Sequence, residues 1–126
     1  MNWSALAAGL LGLAVALGAF GAHGLRERLD PYSMSVYEKA VFYHFVHALG
    51  LLIVSLLPRL GLLSQSAAAW VSTLLCAGIV IFSGSLYALA TSGLRMLGAI
   101  TPLGGLCFIA AWFLLAWMLL RGAQAG

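Results

Sequence analysis

The chain has 126 residues, a length that suits one compact domain. Hydrophobic residues make up 63% of it and charged residues 7%, whereas soluble domains carry about 25% charged residues. So few charges cannot cover a water-facing surface, and the net charge of +3 forms no dense basic patch, which excludes nucleic-acid binding. The composition therefore indicates an integral membrane protein whose exterior faces lipid.

Four continuous apolar runs follow one another along the chain, each close to the ~20 residues that cross the hydrocarbon core of a bilayer. They are predicted at residues 3–22, 39–57, 67–90 and 101–120. Because the runs do not alternate with polar residues, and because backbone groups in lipid must be satisfied within the chain, they favour helices over strands. The predicted fold class is all-α, with residues 1–126 forming a single four-helix transmembrane bundle.

The first run has no basic segment before it, so it is expected to be a retained helix rather than a cleaved signal peptide. Small residues recur at a four-residue spacing in two of the runs, at Ala14, Gly18 and Ala22 in the first and at Gly84 and Ala88 in the third. Small residues at this spacing allow helices to pack closely in lipid. We therefore expect the first and third helices to meet along Gly18, Ala22 and Gly84.

Residues that commonly begin helices stand ahead of the second and third runs. Asp30 followed by Pro31 predicts a helix start, because aspartate caps helix N-termini and proline suits the first helical position. The second helix is therefore expected to begin before the apolar run itself. Ser64 or Ser66 is the candidate cap of the third helix.

The two cysteines lie inside apolar runs, which indicates small buried hydrophobic residues rather than a redox pair or a metal site. Cys76 is predicted near the middle of the third helix and Cys107 near the start of the fourth, so their depths differ by roughly 13 Å. A disulfide needs Cα atoms within about 7 Å of each other. We expect both thiols to be free.

Four crossings place both termini and the 58–66 loop on one membrane face, called face A here. The 24–38 and 91–100 segments then lie on the other, called face B. Four basic residues are predicted at face B and two at face A, namely Arg26, Arg28, Lys39 and Arg95 against Arg59 and Arg121. By the positive-inside rule, this count alone favours a cytoplasmic face B.

The polar residues of the predicted spans are concentrated in the half of the membrane nearest face B. His23 ends the first helix, while His44 and His47, three residues apart on one helix face, enter the second from that side. Hydroxyl groups lie at the same level, at Ser83, Ser85 and Tyr87 in the third helix and at Thr101, which caps the fourth. Since polar groups in lipid must find partners, we predict that His23, His47 and at least one third-helix hydroxyl line a shared cavity or hydrogen-bond network.

Three interpretations of these polar residues stay open. They can stabilise the bundle through hydrogen bonds between helices, or they can line a pocket for a small amphipathic ligand such as a lipid or quinone. Alternatively, His23, His44 and His47 can bind haem or a metal ion. The sequence has no hydrolase motif, phosphate loop or acid pair, so enzymatic activity is not expected. No cofactor is predicted, and haem or metal binding is kept as the alternative.

Four short motifs, one in each predicted helix, stand out from the apolar background. They are Gly18-Ala19-Phe20-Gly21-Ala22-His23-Gly24-Leu25, Tyr43-His44-x-x-His47-Ala48-Leu49, Phe82-Ser83-Gly84-Ser85-Leu86-Tyr87 and Ile100-Thr101-Pro102-Leu103-Gly104-Gly105. Together they resemble the domain-of-unknown-function family 423, which includes the transmembrane-protein-256-like small membrane proteins. The resemblance implies a four-helix membrane protein without an established biochemical function. It also implies that His23 and His47 fit the family pattern better than His44, and that face A is cytoplasmic.

We therefore expect a non-enzymatic, multi-pass protein of the bacterial inner (plasma) membrane, with both termini in the cytoplasm and a polar pocket at face B. The expected partners are the lipid bilayer and a lipid or quinone ligand. A second copy of the chain, or a larger membrane complex that it supports as an accessory subunit, is a further expected partner.

Overall fold

The structure, a computed structural model, describes residues 1–125 and contains four long helices joined by short connections. The helices are α1 (Trp3–Leu25), α2 (Pro31–Leu60), α3 (Gln65–Ser92) and α4 (Thr101–Ala125), and a short 3-10 turn (Arg95–Ala99) precedes α4. All four are long and apolar enough to cross a membrane. The predicted all-α, four-helix transmembrane fold is confirmed.

Two helices begin before the apolar runs that predicted them, because each starts at a capping polar residue. The clearest case is α2, which begins at Pro31, where the side chain of Asp30 accepts a hydrogen bond from the backbone N–H of Ser33 at 2.6 Å. The start of α3 is capped by Ser64, whose hydroxyl accepts from the backbone N–H of Ala67 at 3.0 Å. The predicted caps at Asp30 and Ser64 are therefore both present.

The two middle helices form the centre of the bundle. The buried share of the apolar segment is 39% in α2 and 44% in α3, against 17% in each of the outer helices. Helix α1 packs mainly on α2, and α4 packs mainly on α3. This arrangement follows chain order, as is usual for elements joined by short connections.

The expected contact between α1 and α3 along small residues is not formed. Gly18 of α1 faces Val41 of α2, Ala22 is exposed, and a Cβ added at Gly84 of α3 would meet no atom within 4 Å. The prediction was wrong because α1 packs mainly on α2, so Gly18 of α1 contacts α2 instead of α3.

Close contacts at glycine fix α4 against α3. A Cβ on Gly104 would overlap the backbone nitrogen of Phe82 in α3, which leaves room for glycine alone. In the opposite direction, the ring of Phe108 in α4 lies directly over Gly78 of α3. These two contacts set the register of the pair.

Two apolar clusters fill the bundle. The larger lies towards face A and in the middle of the membrane, and its buried members include Ala7, Ala48, Leu51, Val54, Val71, Leu75, Phe108 and Ala111. The smaller lies towards face B and includes Leu25, Met34, Val36, Tyr37, Leu86 and Leu89. The predicted site residues therefore lie where the smaller cluster meets the larger. Cys76 and Cys107 are half-buried, free thiols, as predicted.

Two helices contain a single π-helical turn, in which the backbone widens to accommodate one extra residue. One turn, Gly21–Leu25, ends α1, and the other, Ile79–Ser83, lies within α3. The second turn changes the direction in which the side chains after it point. Ser85 and Tyr87, two of the predicted site residues, follow it directly.

Candidate functional site

His44 joins three helices from a position that is only 2% exposed. Its Nε2 atom lies 2.9 Å from the carbonyl oxygen of Leu10 in α1, and its Nδ1 atom lies 2.9 Å from the hydroxyl of Tyr87 in α3. Because a carbonyl oxygen only accepts, Nε2 donates to Leu10, and in the neutral imidazole Nδ1 then accepts from the tyrosine hydroxyl. Both ring nitrogens thus have partners within the bundle.

Tyr37 extends this chain of contacts, although the sequence analysis did not single it out. Its ring meets that of Tyr87 edge-on with centroids 5.3 Å apart, and its hydroxyl donates to the carbonyl oxygen of Leu17 in α1 at 2.5 Å. The signal that could have found it is its spacing, since Tyr37 lies seven residues before His44 and so shares its helix face.

His47 faces the bundle interior, as predicted, but it has other partners. Its Nδ1 donates to the carbonyl oxygen of Tyr43, one turn earlier in α2, at 2.8 Å. Its ring stacks on Phe108 of α4 with centroids 3.5 Å apart and an interplanar angle of 11°. The imidazole of His47 therefore packs α2 against α4 through its stacking contact with Phe108.

The remaining hydroxyl groups connect helices in pairs. Ser83, which is fully buried, donates to the carbonyl oxygen of Ala40 at 2.8 Å and so joins α3 to α2. The hydroxyls of Ser85 and Thr101 lie 2.6 Å apart and join α3 to the start of α4. Each of these groups thus satisfies its hydrogen-bonding needs inside the bundle, where lipid supplies no partner.

His23 lies apart from these residues. It belongs to the π-helical turn that ends α1, and its side chain is exposed. The predicted grouping of His23 and His47 with a third-helix hydroxyl is therefore corrected: it is His44 that contacts Tyr87. His44 contacts the carbonyl oxygen of Leu10, thirteen residues before His23 in α1, so His23 lies about 20 Å along the helix axis from that contact.

The histidines do not form a common ligand set. Within residues 1–125, no group of three or more histidine, cysteine, aspartate or glutamate side chains is arranged to hold a metal ion. His44 uses both ring nitrogens within the bundle, and His23 is exposed on the surface of α1. The three histidines thus do not come together at one point in the described part of the chain.

A groove of about 440 Å³ opens between α2, α3 and the turn that precedes α4. We call it the face-B groove. Its apolar wall consists of Val36, Phe82, Leu86, Leu89 and Pro102, together with Gly98. Its polar rim consists of Tyr32, Ser35, Lys39 and Thr101. Thr101 was predicted as a site residue, and its hydroxyl is held by the hydrogen bond to Ser85.

The sequence analysis missed Lys39 and Ser35 as members of this groove. Their four-residue spacing places them on one face of α2, which was an available signal. Lys39 was interpreted only as the basic residue at the start of an apolar run. Gly98 of the turn at Arg95–Ala99 also lines the groove, and an apolar run does not reveal where such a turn packs.

Comparisons with known proteins agree with this architecture. A sequence model of the family described as "Protein of unknown function (DUF423)" matches residues 17–105. A UPF0382 membrane protein from Staphylococcus haemolyticus is 50% identical over 103 residues, which cover 82% of each chain. The UPF0382 membrane protein YwdK from Bacillus subtilis is 49% identical over 105 residues, covering 82% of this chain and 83% of the relative. No solved structure matches the chain.

Proposed function

The chain belongs to the DUF423 family of membrane proteins, and from this premise we propose that it is a non-enzymatic protein that binds a small amphipathic molecule in the face-B groove. The observation that carries the proposal is the groove of about 440 Å³, with an apolar wall on α3 and a polar rim on α2 and α4. Small-molecule sites commonly measure about 300–1,000 Å³ and combine apolar walls with a few polar groups.

The lining favours a ligand whose head accepts hydrogen bonds. The Lys39 ammonium and the hydroxyl of Ser35 supply donors at the rim, while Leu86 and Leu89 provide an apolar surface for a tail. Quinone carbonyls and lipid carbonyl or phosphate oxygens share this chemistry. The lysine side chain also keeps its charge near the membrane–water interface, which lies at the rim of the groove.

The buried hydrogen bonds fix the relative positions of the helices that form the groove. His44 joins α1, α2 and α3, Ser83 joins α2 to α3, and Ser85 joins α3 to α4. Polar bonds between transmembrane helices contribute about 1 kcal/mol each, so together they hold the walls in one arrangement. This division of roles favours a structural function for the histidines over the haem or metal alternative.

The experiment is a binding measurement on purified protein in lipid nanodiscs, with a short-tailed quinone and a lysophospholipid as probes. Gly98→Val adds a side chain inside the groove, where a new Cβ would lie 3.7 Å from Leu89, an ordinary contact. We expect this variant to weaken binding about tenfold, the equivalent of about 1.4 kcal/mol.

Gly84→Val is the matched control, because a Cβ at that position meets no atom within 4 Å and Gly84 does not line the groove. It is expected to bind as the unchanged protein does. Failure of both probes to bind, or equal affinity in the two variants, would overturn the proposal.

We also infer that face A is cytoplasmic. The count of basic residues, four at face B against two at face A, favours the opposite orientation. The resemblance to the family implies a cytoplasmic face A, and we follow the family here because the counts differ by only two charges.

A further inference from the structure

A second depression, distinct from the face-B groove, lies at face A and has two parts. The upper part is a polar cleft of about 320 Å³, lined by Asn2, Ser4, Ser55, Arg59 and Gln65 together with Met1 and Trp3. The lower part is a groove of about 480 Å³ between α1 and α3, with an almost wholly apolar lining that includes Leu6, Cys76, Val80 and Ile81. Met1 and Trp3 line both parts, so the cleft continues into the groove.

The groove exists because α1 packs on α2 instead of α3. Where the first and third helices would have met, the surfaces of Leu6 and Val80 are separated by open space. The groove runs along α3 from Thr73 to Ile81, a distance of roughly 12 Å at 1.5 Å per residue. One hydrocarbon leaflet is about 15 Å thick, half of the ~30 Å core, so the groove accommodates most of one acyl chain.

The two serine hydroxyls of the cleft above it are already paired within the chain. Ser55 donates to the carbonyl oxygen of Leu52 at 2.6 Å, so its own oxygen accepts from the hydroxyl of Ser4, 2.9 Å away. Asn2 uses its side-chain oxygen to accept from the backbone N–H of Ala5 at 3.0 Å. The amide NH₂ groups of Asn2 and Gln65 are therefore the neutral donors left for an incoming acceptor.

The charge of Arg59 makes the cleft favour an anionic ligand. Arg59 lines it, and every acidic side chain of the sequence lies between positions 27 and 38, at the opposite face. A guanidinium pairs well with phosphate oxygens, which it can contact through two parallel hydrogen bonds. The cleft thus combines a positive charge with neutral donors and matches an anion.

We propose that this depression binds one anionic phospholipid, with its phosphate at Arg59 and one acyl chain in the groove between α1 and α3. The order of the two parts, a cationic cleft at the membrane surface above an apolar groove, is the order of headgroup and chain in such a lipid. The site is independent of the face-B groove, and neither proposal rests on the other.

The experiment uses Trp3 as a reporter, because it lines both parts of the depression. A variant that keeps only this tryptophan, with Trp70, Trp112 and Trp117 changed to phenylalanine, is placed in phosphatidylcholine vesicles. Increasing amounts of phosphatidylglycerol or phosphatidylcholine with brominated chains are then added, and the quenching of Trp3 fluorescence is followed. We expect half-quenching at an about fivefold lower mole fraction of the anionic lipid, the preference that one arginine near a membrane surface supplies.

Arg59→Gln should remove this preference, whereas Arg121→Gln, the matched loss of the other face-A arginine, should leave it unchanged. Equal quenching by the two lipids would mean ordinary contact with the surrounding bilayer and would overturn the proposal. Native mass spectrometry of the chain with all four tryptophans provides a second test. Co-purified phosphatidylglycerol that is lost in Arg59→Gln supports the site, and its retention in that variant would overturn it.

Discussion

His44 shows how a single residue can connect three transmembrane helices when each of its bonds has a fixed direction. The Tyr87 hydroxyl donates to Nδ1, and Nε2 donates to the carbonyl oxygen of Leu10. The resemblance to a known family favoured His23 and His47 over His44 as site residues. The structure instead gives His44 the most extensive set of partners, because its position in α2 turns it towards both neighbouring helices.

This chain of hydrogen bonds predicts an energetic coupling between two helices. Tyr87→Phe and His44→Leu should each destabilise the protein, and the double variant should lose less than the sum because the two changes remove the same bond. We expect a coupling free energy of about 1 kcal/mol from a double-mutant cycle of unfolding in denaturing detergent. His23→Leu is the control and should leave the free energy of unfolding nearly unchanged, since its side chain is exposed. Strictly additive effects of Tyr87→Phe and His44→Leu would contradict the assignment.

The cap of α2 predicts a pH dependence outside the membrane. Hydrogen bonds from the backbone and side chain of Ser33 hold the pKa of the Asp30 carboxyl below its ordinary value of 3.8. The ionised cap therefore contributes its full stabilisation above that ordinary value and loses it as the pH falls through the lower, folded value. Asp30→Asn keeps a capping oxygen but does not titrate.

We expect the Tm of the unchanged protein to fall relative to that of Asp30→Asn as the pH is lowered from about 5 to about 3. Comparing the two proteins isolates Asp30, because every other ionisable residue is the same in both. A Tm difference that stays constant over this range would show that the carboxylate does not stabilise α2.

At the scale of helices, the number and approximate position of the elements could be predicted, whereas their neighbours could not. An apolar run of about 20 residues has few alternatives to a membrane helix. Spacing of small residues is less informative, because glycine and alanine occur on every face of these helices. Gly18 packs against Val41, but the similarly spaced Gly84 faces open space.

The candidate site was partly predictable for the same reason. Residue spacing gives depth, so Ser85 and Thr101 were placed at one level and indeed form a hydrogen bond. Rotation about each helix axis depends on packing, and in α3 it also depends on a π-helical turn that has no simple sequence signal. Depth within one half of the membrane was also too coarse for His23, which lies thirteen residues along α1 from the Leu10 carbonyl that His44 contacts and has an exposed side chain.

Glycine contacts between α3 and α4 predict which substitutions the bundle tolerates. Gly104→Ala should destabilise the protein by about 1–3 kcal/mol, because the new methyl group would overlap the backbone of Phe82, which cannot move without displacing α3. Gly12→Ala is the matched control, since a Cβ there meets no atom within 4 Å. It should leave stability unchanged or raise it by up to about 1 kcal/mol through helix propensity. Similar unfolding curves for the two variants would refute the proposed close packing.

For the whole molecule, the proposed orientation makes a prediction about chemical labelling. In a background with Cys76→Ala and Cys107→Ala, a single cysteine is introduced at Glu27 for face B or at Leu62 for face A, both of which are exposed. With face A in the cytoplasm, a membrane-impermeant maleimide should label intact cells at position 27 and should label position 62 only after the membrane is permeabilised. The reverse pattern would place face B in the cytoplasm.

The π-helical turn in α3 has a consequence for how this helix can vary. One inserted residue advances the helical phase by about 100°, so the segments before and after Ile79–Ser83 have their orientations set separately. The first segment holds Gly78 under a ring of α4, and the second directs Ser85 and Tyr87 at their partners. Deleting Val80, which is exposed within the turn, should restore a regular helix and turn both hydroxyls away together. The contact between Gly78 and the ring of Phe108 would remain. The half of the molecule nearest face A would therefore keep its packing, whereas nearest face B the side chains of α3 would point in other directions.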